Sequence, residues 1–111
     1  MAYNLALEQK LDRLTSNWSG LTKKKMFGGM SFLLNGNMTV GVTKDILLVR
    51  ASVEIEAELF QHSWAKPMDF TKKVMRGWVF VEPEGWDNDA VLDDIVQKVK
   101  AYVDTLPPKK K

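Results

Sequence analysis

The stretch Met26–Arg50 constrains the fold of this chain more than any other segment. Asn35-Gly36 lies between two apolar runs, and Lys44-Asp45 lies between two more. An Asn-Gly pair flanked in this way predicts a type I′ hairpin turn, because both central residues of that turn need a positive φ. The stretch therefore predicts three short strands, at residues 31–34, 38–43 and 46–50, joined by two tight turns.

The side chains of these strands predict which strand is central. In the second strand Met38, Val40 and Val42 alternate with small or polar residues, so one face should be buried. Residues 46–49 are apolar at every position, which favours a central strand with cover on both sides. Gly28-Gly29, just before the first strand, indicates a bend or bulge entering the sheet. A phosphate loop is the alternative, but such a loop needs a following helix, and a strand follows here.

Three helices are predicted around the strands. Residues 4–18 form an amphipathic helix with Asn4 as N-cap, ended by Ser19-Gly20, and residues 21–25 then form a linker. Ser52 can cap a short second helix. Its inward residues are expected to be Val53, Ala57 and Phe60, and its exposed ones Glu54, Glu56 and Glu58. The last helix covers residues 88–106, with Asp87 or Asn88 as N-cap and Pro107-Pro108 beyond it.

Two further strands are predicted between the second and third helices. The first covers residues 66–70, and the second covers residues 74–82, where Pro83-Glu84-Gly85 breaks it. The second strand alternates, with Trp78, Phe80 and Glu82 on one face and Val79 and Val81 on the other. Because large aromatic residues usually serve packing, we expect Trp78 and Phe80 to lie beneath a helix in the core.

The predicted order is α-β-β-β-α-β-β-α, an α+β fold with a mainly antiparallel five-stranded sheet and helices packed on it. Parallel crossovers are excluded because the turns between strands are short. Residues 1–106 should form a single domain, and residues 107–111 a basic, mobile tail.

Composition narrows the class of protein. The chain has 111 residues, of which 45% are hydrophobic, and it contains no cysteine, which excludes disulfides and thiolate metal sites. Absence of cysteine suits a cytoplasmic protein, and no apolar run predicts a membrane span. The net charge is +2, with lysine clusters at residues 23–25 and 109–111. We interpret both clusters as solvated, with phosphate contacts as the alternative.

No catalytic grouping is apparent. His62 is the one histidine of the chain, and it lies in a predicted loop without a second ligand type nearby. We therefore expect no enzymatic activity, no metal and no cofactor. The candidate residues for binding an anion or a partner are Lys25, Gly28, Gly29, Arg50, Asp69 and Arg76.

Two alternative functions use some of the same residues. Residues 76–81, RGWVFV, partly match the RNA-recognition signature, in which sheet aromatics stack on bases. The match is incomplete, because Val79 replaces a small residue and Pro83 replaces the last aromatic. A small-molecule site lined by Arg50, Arg76, Asp69 and the Gly28-Gly29 backbone is the other alternative.

Several segments, taken together and in order, resemble the TfoX N-terminal domain family. They are residues 25–29 (KMFGG), the strand–Asn-Gly–strand unit that follows, residues 67–70 (PMDF), residues 76–81 (RGWVFV) and residues 106–109 (LPPK). The resemblance covers nearly the whole chain and implies an α-β(3)-α-β(2)-α arrangement.

The resemblance also implies a functional class. The family takes its name from a bacterial competence regulator that carries a separate C-terminal domain. That regulator acts in the transcription of DNA-uptake genes alongside a cyclic-AMP receptor protein. Because the sequence ends soon after the third predicted helix, we expect a stand-alone, Sxy-like member. Its expected role is that of a non-enzymatic interaction module with a protein partner and no membrane contact.

Overall fold

The structure, a computed structural model, describes residues 3–26, 29–70 and 73–106, with the backbone alone at residues 26, 68–70 and 73–76. Gly28 and the predicted tail at residues 107–111 lie outside the described residues. Four helices are present in the described part: α1 (Leu5–Thr15), α2 (Val53–Leu59), α3 (Pro83–Trp86) and α4 (Asp89–Val103). The six strands there are β1 (Leu21–Met26), β2 (Gly29–Leu34), β3 (Asn37–Thr43), β4 (Ile46–Arg50), β5 (Ala65–Phe70) and β6 (Lys73–Val81).

The strands form one antiparallel sheet in the order β1-β2-β3-β4-β6-β5. The α+β class and the antiparallel pairing are as predicted, but the sheet has six strands where five were expected. The predicted linker at residues 21–25 is strand β1, paired along its length with β2. β1 is an edge strand, paired on one side only, and its sequence LTKKKM has no apolar alternation. Its lysines discourage the free edge from pairing with another chain. The short helix α3 was also not predicted.

The tight turns confirm the hairpin prediction. Asn35 has φ 52° and Gly36 has φ 84°, as a type I′ turn requires, and Lys44 has φ 53° in the second turn. Gly29 begins β2 at a place of close backbone approach, since a Cβ there would lie 1.7 Å from the carbonyl oxygen of Val42. The glycine therefore allows β2 and β3 to pair at their ends.

All four helices bury apolar side chains in one core on the same side of the sheet. α4 packs on β3 and β4, α1 on β3, α2 on β6, and α3 on β4 and β6. The sheet contributes Phe32, Val40, Val49 and Val79, all fully buried, among other residues. The helices contribute leucines and valines such as Leu7 and Val99.

The first helix is fixed at its start as predicted, although it is shorter. The side chain of Asn4 accepts a hydrogen bond from the Leu7 N–H at 3.0 Å. The backbone N–H of Asn4 donates a hydrogen bond to the Lys44 carbonyl at 2.7 Å. The Trp86 indole donates to the carbonyl of Asp45 at 2.9 Å, so α3 reaches the same turn. The helix ends at Thr15, earlier than expected.

The predicted orientation of α2 is wrong. Val53 is 70% exposed and Phe60 is 41% exposed, whereas Leu59 is 5% exposed and Ile55 packs against the core. Ser52 does cap the helix, accepting from the Ile55 N–H at 3.2 Å. In a helix of seven residues, two faces of similar hydrophobicity fit the spacing equally well, and contacts with β6 decide between them.

Candidate functional site

The strand register separates the sheet into two faces. Residues directly opposite one another across paired strands lie on the same face. One such row faces the helices and crosses the sheet through Lys23, Phe32, Val40, Val49, Val79 and Pro67. The neighbouring row lies on the other face and crosses through Lys24, Ser31, Gly41, Leu48, Phe80 and Lys66.

We call this second surface the open face, because none of its described side chains belongs to the core formed with the helices. Besides that row, strand alternation places Leu33, Ile46, Arg50 and Trp78 on it. Met38 also lies there, opposite Leu33, because the pairing of β2 and β3 shifts register between Phe32 and Leu33. The prediction that Met38 shares the buried face of Val40 and Val42 is therefore wrong. Leu33, Met38, Ile46, Trp78 and Phe80 are all half-buried. The open face is therefore a largely apolar surface on the side of the sheet opposite the helices.

The middle of the open face is a shallow apolar floor. Leu48 is only 4% exposed although it is not part of the core formed with the helices, and Ser31 is 2% exposed. The side chain of Met38 lies over Gly41, since a Cβ built on Gly41 would be 2.9 Å from the Met38 Cε. The floor is thus lined by side chains of the sheet itself, with a flexible methionine across it.

One pair of residues stacks at the side of this floor. Arg50 and Trp78 are opposite each other across β4 and β6, and the Arg50 guanidinium carbon lies 5.6 Å from the Trp78 ring centroid. This distance is within the range of a cation–π contact. The contact holds a cation and an aromatic ring together on the open face.

The prediction that Trp78 and Phe80 lie in the core is wrong, although the predicted alternation along β6 is correct. Val79 and Val81 are fully buried beneath the helices, and the two aromatic residues face the opposite way. Valines fit between the sheet and the helices because neighbouring strands also present valine and leucine there.

A bend in β6 precedes Trp78. Gly77 has φ +91°, its carbonyl accepts a hydrogen bond from the Ala51 N–H at 2.8 Å, and its N–H donates to the Glu56 carboxylate at 2.6 Å. The prediction that Glu56 is solvated is therefore wrong, since it is 6% exposed and binds the backbone of β6. Through this contact α2 fixes the segment that delivers Trp78 to the open face.

The lysine cluster at residues 23–25 is divided between the two faces. The Lys23 ammonium lies over the Phe32 ring on the helix side and contacts Glu8 at 2.6 Å and Asp12 at 2.9 Å. The hydrogen bond from Lys23 holds the pKa of Glu8 below its ordinary value. Lys24 has the opposite orientation, and it is exposed at the end of the open-face row.

Charge is segregated between the sheet and the helices in the described part of the chain. The six strands carry seven Lys or Arg residues and a single acidic residue, Asp69. The four helices carry nine Asp or Glu residues and four Lys or Arg residues. The sheet is therefore basic and the helical layer acidic, a division that the net charge of +2 conceals.

The six predicted binding residues do not converge on one described surface. Arg50 lies on the open face, whereas the register places Lys25 on the helix side beside Met30. Gly29 is buried within the sheet. Gly28 lies outside the described residues, as do the side chains of Asp69 and Arg76, whose backbones belong to β5 and β6.

The open face contains several residues that were not predicted as a site, among them Lys24, Lys66, Met38 and Leu48. The alternation in β3 predicted one small or polar face, but it placed Met38 on the other, buried face. Only the register shows that this face continues through Leu48 and Phe80 to Lys66.

His62 and a small cavity are two further features of the described residues. His62 is exposed and stacks on the Trp64 ring, with the ring centroids 4.4 Å apart, which agrees with a role in anchoring its loop. No three His, Asp or Glu residues are grouped as metal ligands in residues 3–26, 29–70 and 73–106. A cavity of about 130 Å³ between α1 and α4 is lined by Lys10, Arg13, Leu14, Asp89 and Leu92, and it is smaller than typical ligand pockets.

None of the described helices has the length and apolar character needed to cross a membrane.

A family model described as the TfoX N-terminal domain matches residues 13–101. No curated protein matches the chain. The matched segment contains all six described strands and therefore the described residues of the open face.

Proposed function

The chain belongs to the TfoX N-terminal domain family, and from this membership we propose that it is a non-enzymatic interaction module of the competence- and transcription-regulator type. In this proposal the open face receives a protein partner. The helices pack on the other face and stabilise the sheet.

The observation that carries the proposal is the apolar open face, on the side of the sheet away from the helices. The side chains of Met38, Ile46, Trp78 and Phe80 are each partly exposed on that face. Contiguous apolar surface on a folded domain typically marks an interaction site. The family match supports a regulatory role at the level of a module, and regulatory modules act through partners.

Photo-cross-linking in the host cell tests this function. A photoreactive phenylalanine analogue replaces Ile46 on the open face, and in a matched variant it replaces Gln97, which is exposed on α4. We expect a discrete protein adduct from the first position and none from the second. Absence of any protein adduct at position 46, and at Leu33 or Met38 used in the same way, would overturn the proposal.

Nucleic-acid binding is the second candidate, and the half-exposed Trp78 and Phe80 favour it. Aromatic residues on an open sheet are the usual platform for stacking bases of single strands. Titration of random-sequence single-stranded RNA and DNA tests it, with fluorescence anisotropy at low and moderate salt. Salt-sensitive binding that is lost in Trp78→Ala supports this candidate, and no binding at either salt concentration eliminates it.

A further inference from the structure

The dimensions of the open face limit what can occupy it. Its central row begins at Lys24 on the edge strand β1 and ends at Lys66 on the opposite edge strand β5. Five inter-strand spacings of about 4.8 Å make this row about 24 Å long. A helical segment of about 16 residues has that length. The surface thus matches one secondary-structure element of a partner.

Charge indicates the character of that element. Lys24 and Lys66 are exposed at the two ends of the row, and Arg50 lies beside its middle. Between the ends the row is uncharged, running through Ser31, Gly41, Leu48 and Phe80. A complementary element presents apolar side chains along its centre and carboxylates towards its ends.

We propose that the open face binds an acidic amphipathic segment of a partner protein, with apolar side chains on the Met38–Leu48–Phe80 floor and carboxylates on Lys24, Lys66 and Arg50. This inference rests on the proposed function and adds the chemistry of the partner. The flexible Met38 side chain over Gly41 adapts the floor to apolar groups of different shape.

The floor favours a polypeptide over a nucleic acid. Four of the described apolar side chains on the open face are aliphatic, those of Leu33, Met38, Ile46 and Leu48, and two are aromatic, those of Trp78 and Phe80. Single-stranded nucleic acids bind chiefly by stacking on aromatic rings, and the Trp78 ring already has the Arg50 guanidinium against it. Aliphatic side chains of a protein segment pack on such a floor without displacing this pair.

A second copy of the chain is a poorer fit. A second copy would offer the exposed apolar stripe of α2, which consists of Val53, Ala57 and the C-cap residue Phe60. Glu54 beside this stripe supplies the negative charge that the open face requires. However, a helix of seven residues is about 10 Å long, less than half of the row. The longer α4 uses its own apolar stripe in the core.

Selection from a library of random peptides of about 16 residues tests the proposal, with the full chain as bait. We expect the enriched peptides to be rich in Asp, Glu and large apolar residues. Lys24→Glu should weaken binding of the strongest peptide about fivefold or more, and Lys24→Glu combined with Lys66→Glu should weaken it further. Lys25→Glu is the matched control, because this neighbouring lysine of β1 faces the other way, and it should leave affinity nearly unchanged.

Any of the following results would overturn the proposal. The first is an enriched pool without acidic bias, or equal effects of Lys24→Glu and Lys25→Glu. The second is displacement of the peptide by random single-stranded oligonucleotides at lower concentration, which assigns the face to nucleic acid. The third is a dimer in light scattering that Lys24→Glu abolishes and Lys25→Glu preserves, which assigns it to a second copy.

The failure of this inference is distinguishable from failure of the proposed function. If the face binds a protein of different chemistry, the cross-link from position 46 still forms. Mass spectrometry then identifies a cross-linked segment without clustered Asp and Glu. If the module itself is wrong, no protein adduct forms at all.

Discussion

The Glu56 carboxylate accepts a hydrogen bond from the Gly77 N–H at 2.6 Å and so joins helix α2 to the bend of strand β6. Gly77 has φ +91°, and Trp78 follows it on the open face. A buried carboxylate that binds a backbone N–H is a stronger acceptor than a neutral group. The arrangement of the open face thus depends on a residue located on the other side of the sheet.

Removal of this acceptor should destabilise the domain. Glu56→Ala leaves the Gly77 N–H without its partner, and we expect the free energy of unfolding to fall by about 2–3 kcal/mol. Glu56→Gln keeps an acceptor of similar shape and should cost about 1 kcal/mol. Glu54→Ala, at an exposed position of the same helix, should stay within about 0.5 kcal/mol. Urea unfolding measures all three, and equal values for Glu54→Ala and Glu56→Ala would refute the role of the hydrogen bond.

The orientation of α2 gives a second test. Leu59 is 5% exposed and Val53 is 70% exposed, so we expect Leu59→Ala to cost about 2–4 kcal/mol and Val53→Ala less than about 0.5 kcal/mol. The same denaturation experiment compares them. If Val53→Ala lowered the free energy of unfolding more than Leu59→Ala, α2 would have the predicted orientation, with Val53 facing the core.

On β6, truncation of the smaller, buried Val79 should lower the free energy of unfolding at least as much as truncation of the larger, half-exposed Trp78. Val79 is fully buried, so Val79→Ala should cost about 2 kcal/mol through lost burial and the cavity left behind. Trp78→Ala loses a half-exposed ring and its contact with Arg50, and we expect about 1–2 kcal/mol. Removing an aromatic residue from a core typically costs about 3–5 kcal/mol. A loss of that size for Trp78→Ala would indicate that Trp78 is a core residue and would contradict its placement on the open face.

Stability should depend on pH through Glu8. Its pKa is lowered in the folded state, mainly by the hydrogen bond from Lys23, so its stabilising contribution is present above the pKa of the unfolded chain. That contribution is lost as the pH falls through the lower folded pKa. Glu8→Gln should therefore reduce stability at neutral pH by about 1 kcal/mol or less, with the difference from the original protein vanishing in acid. A difference that grows on acidification would contradict this sign.

The elements predicted correctly are those that local chemistry determines. The Asn4 cap, the Asn35-Gly36 turn and the Ser52 cap each depend on residues close together in the sequence. Strand β1 was missed because its stability comes from pairing with β2, and the sequence LTKKKM carries no apolar period of its own. The local sequence pattern does not predict a short element such as β1 when its structure depends on pairing with another strand.

The candidate site illustrates the same limit. The alternation in β6 correctly separated Trp78 and Phe80 from Val79 and Val81, but it contains no information on which face the helices cover. Size favoured the aromatic residues for the core, whereas the register aligns the valines with Val40, Val42 and Val49. The pairing of Lys24 with Ser31, and of Lys66 with Phe80, likewise arises from register alone.

The most direct measurement of the central claim is a map of amide chemical-shift changes in the ¹⁵N-labelled protein as the strongest selected acidic peptide is added. We predict changes concentrated on the open face, at residues such as Met38, Leu48 and Phe80, with Val53 and Gln97 on the helical layer unaffected. Changes confined to the helical layer, with the open-face amides unmoved, would contradict the account.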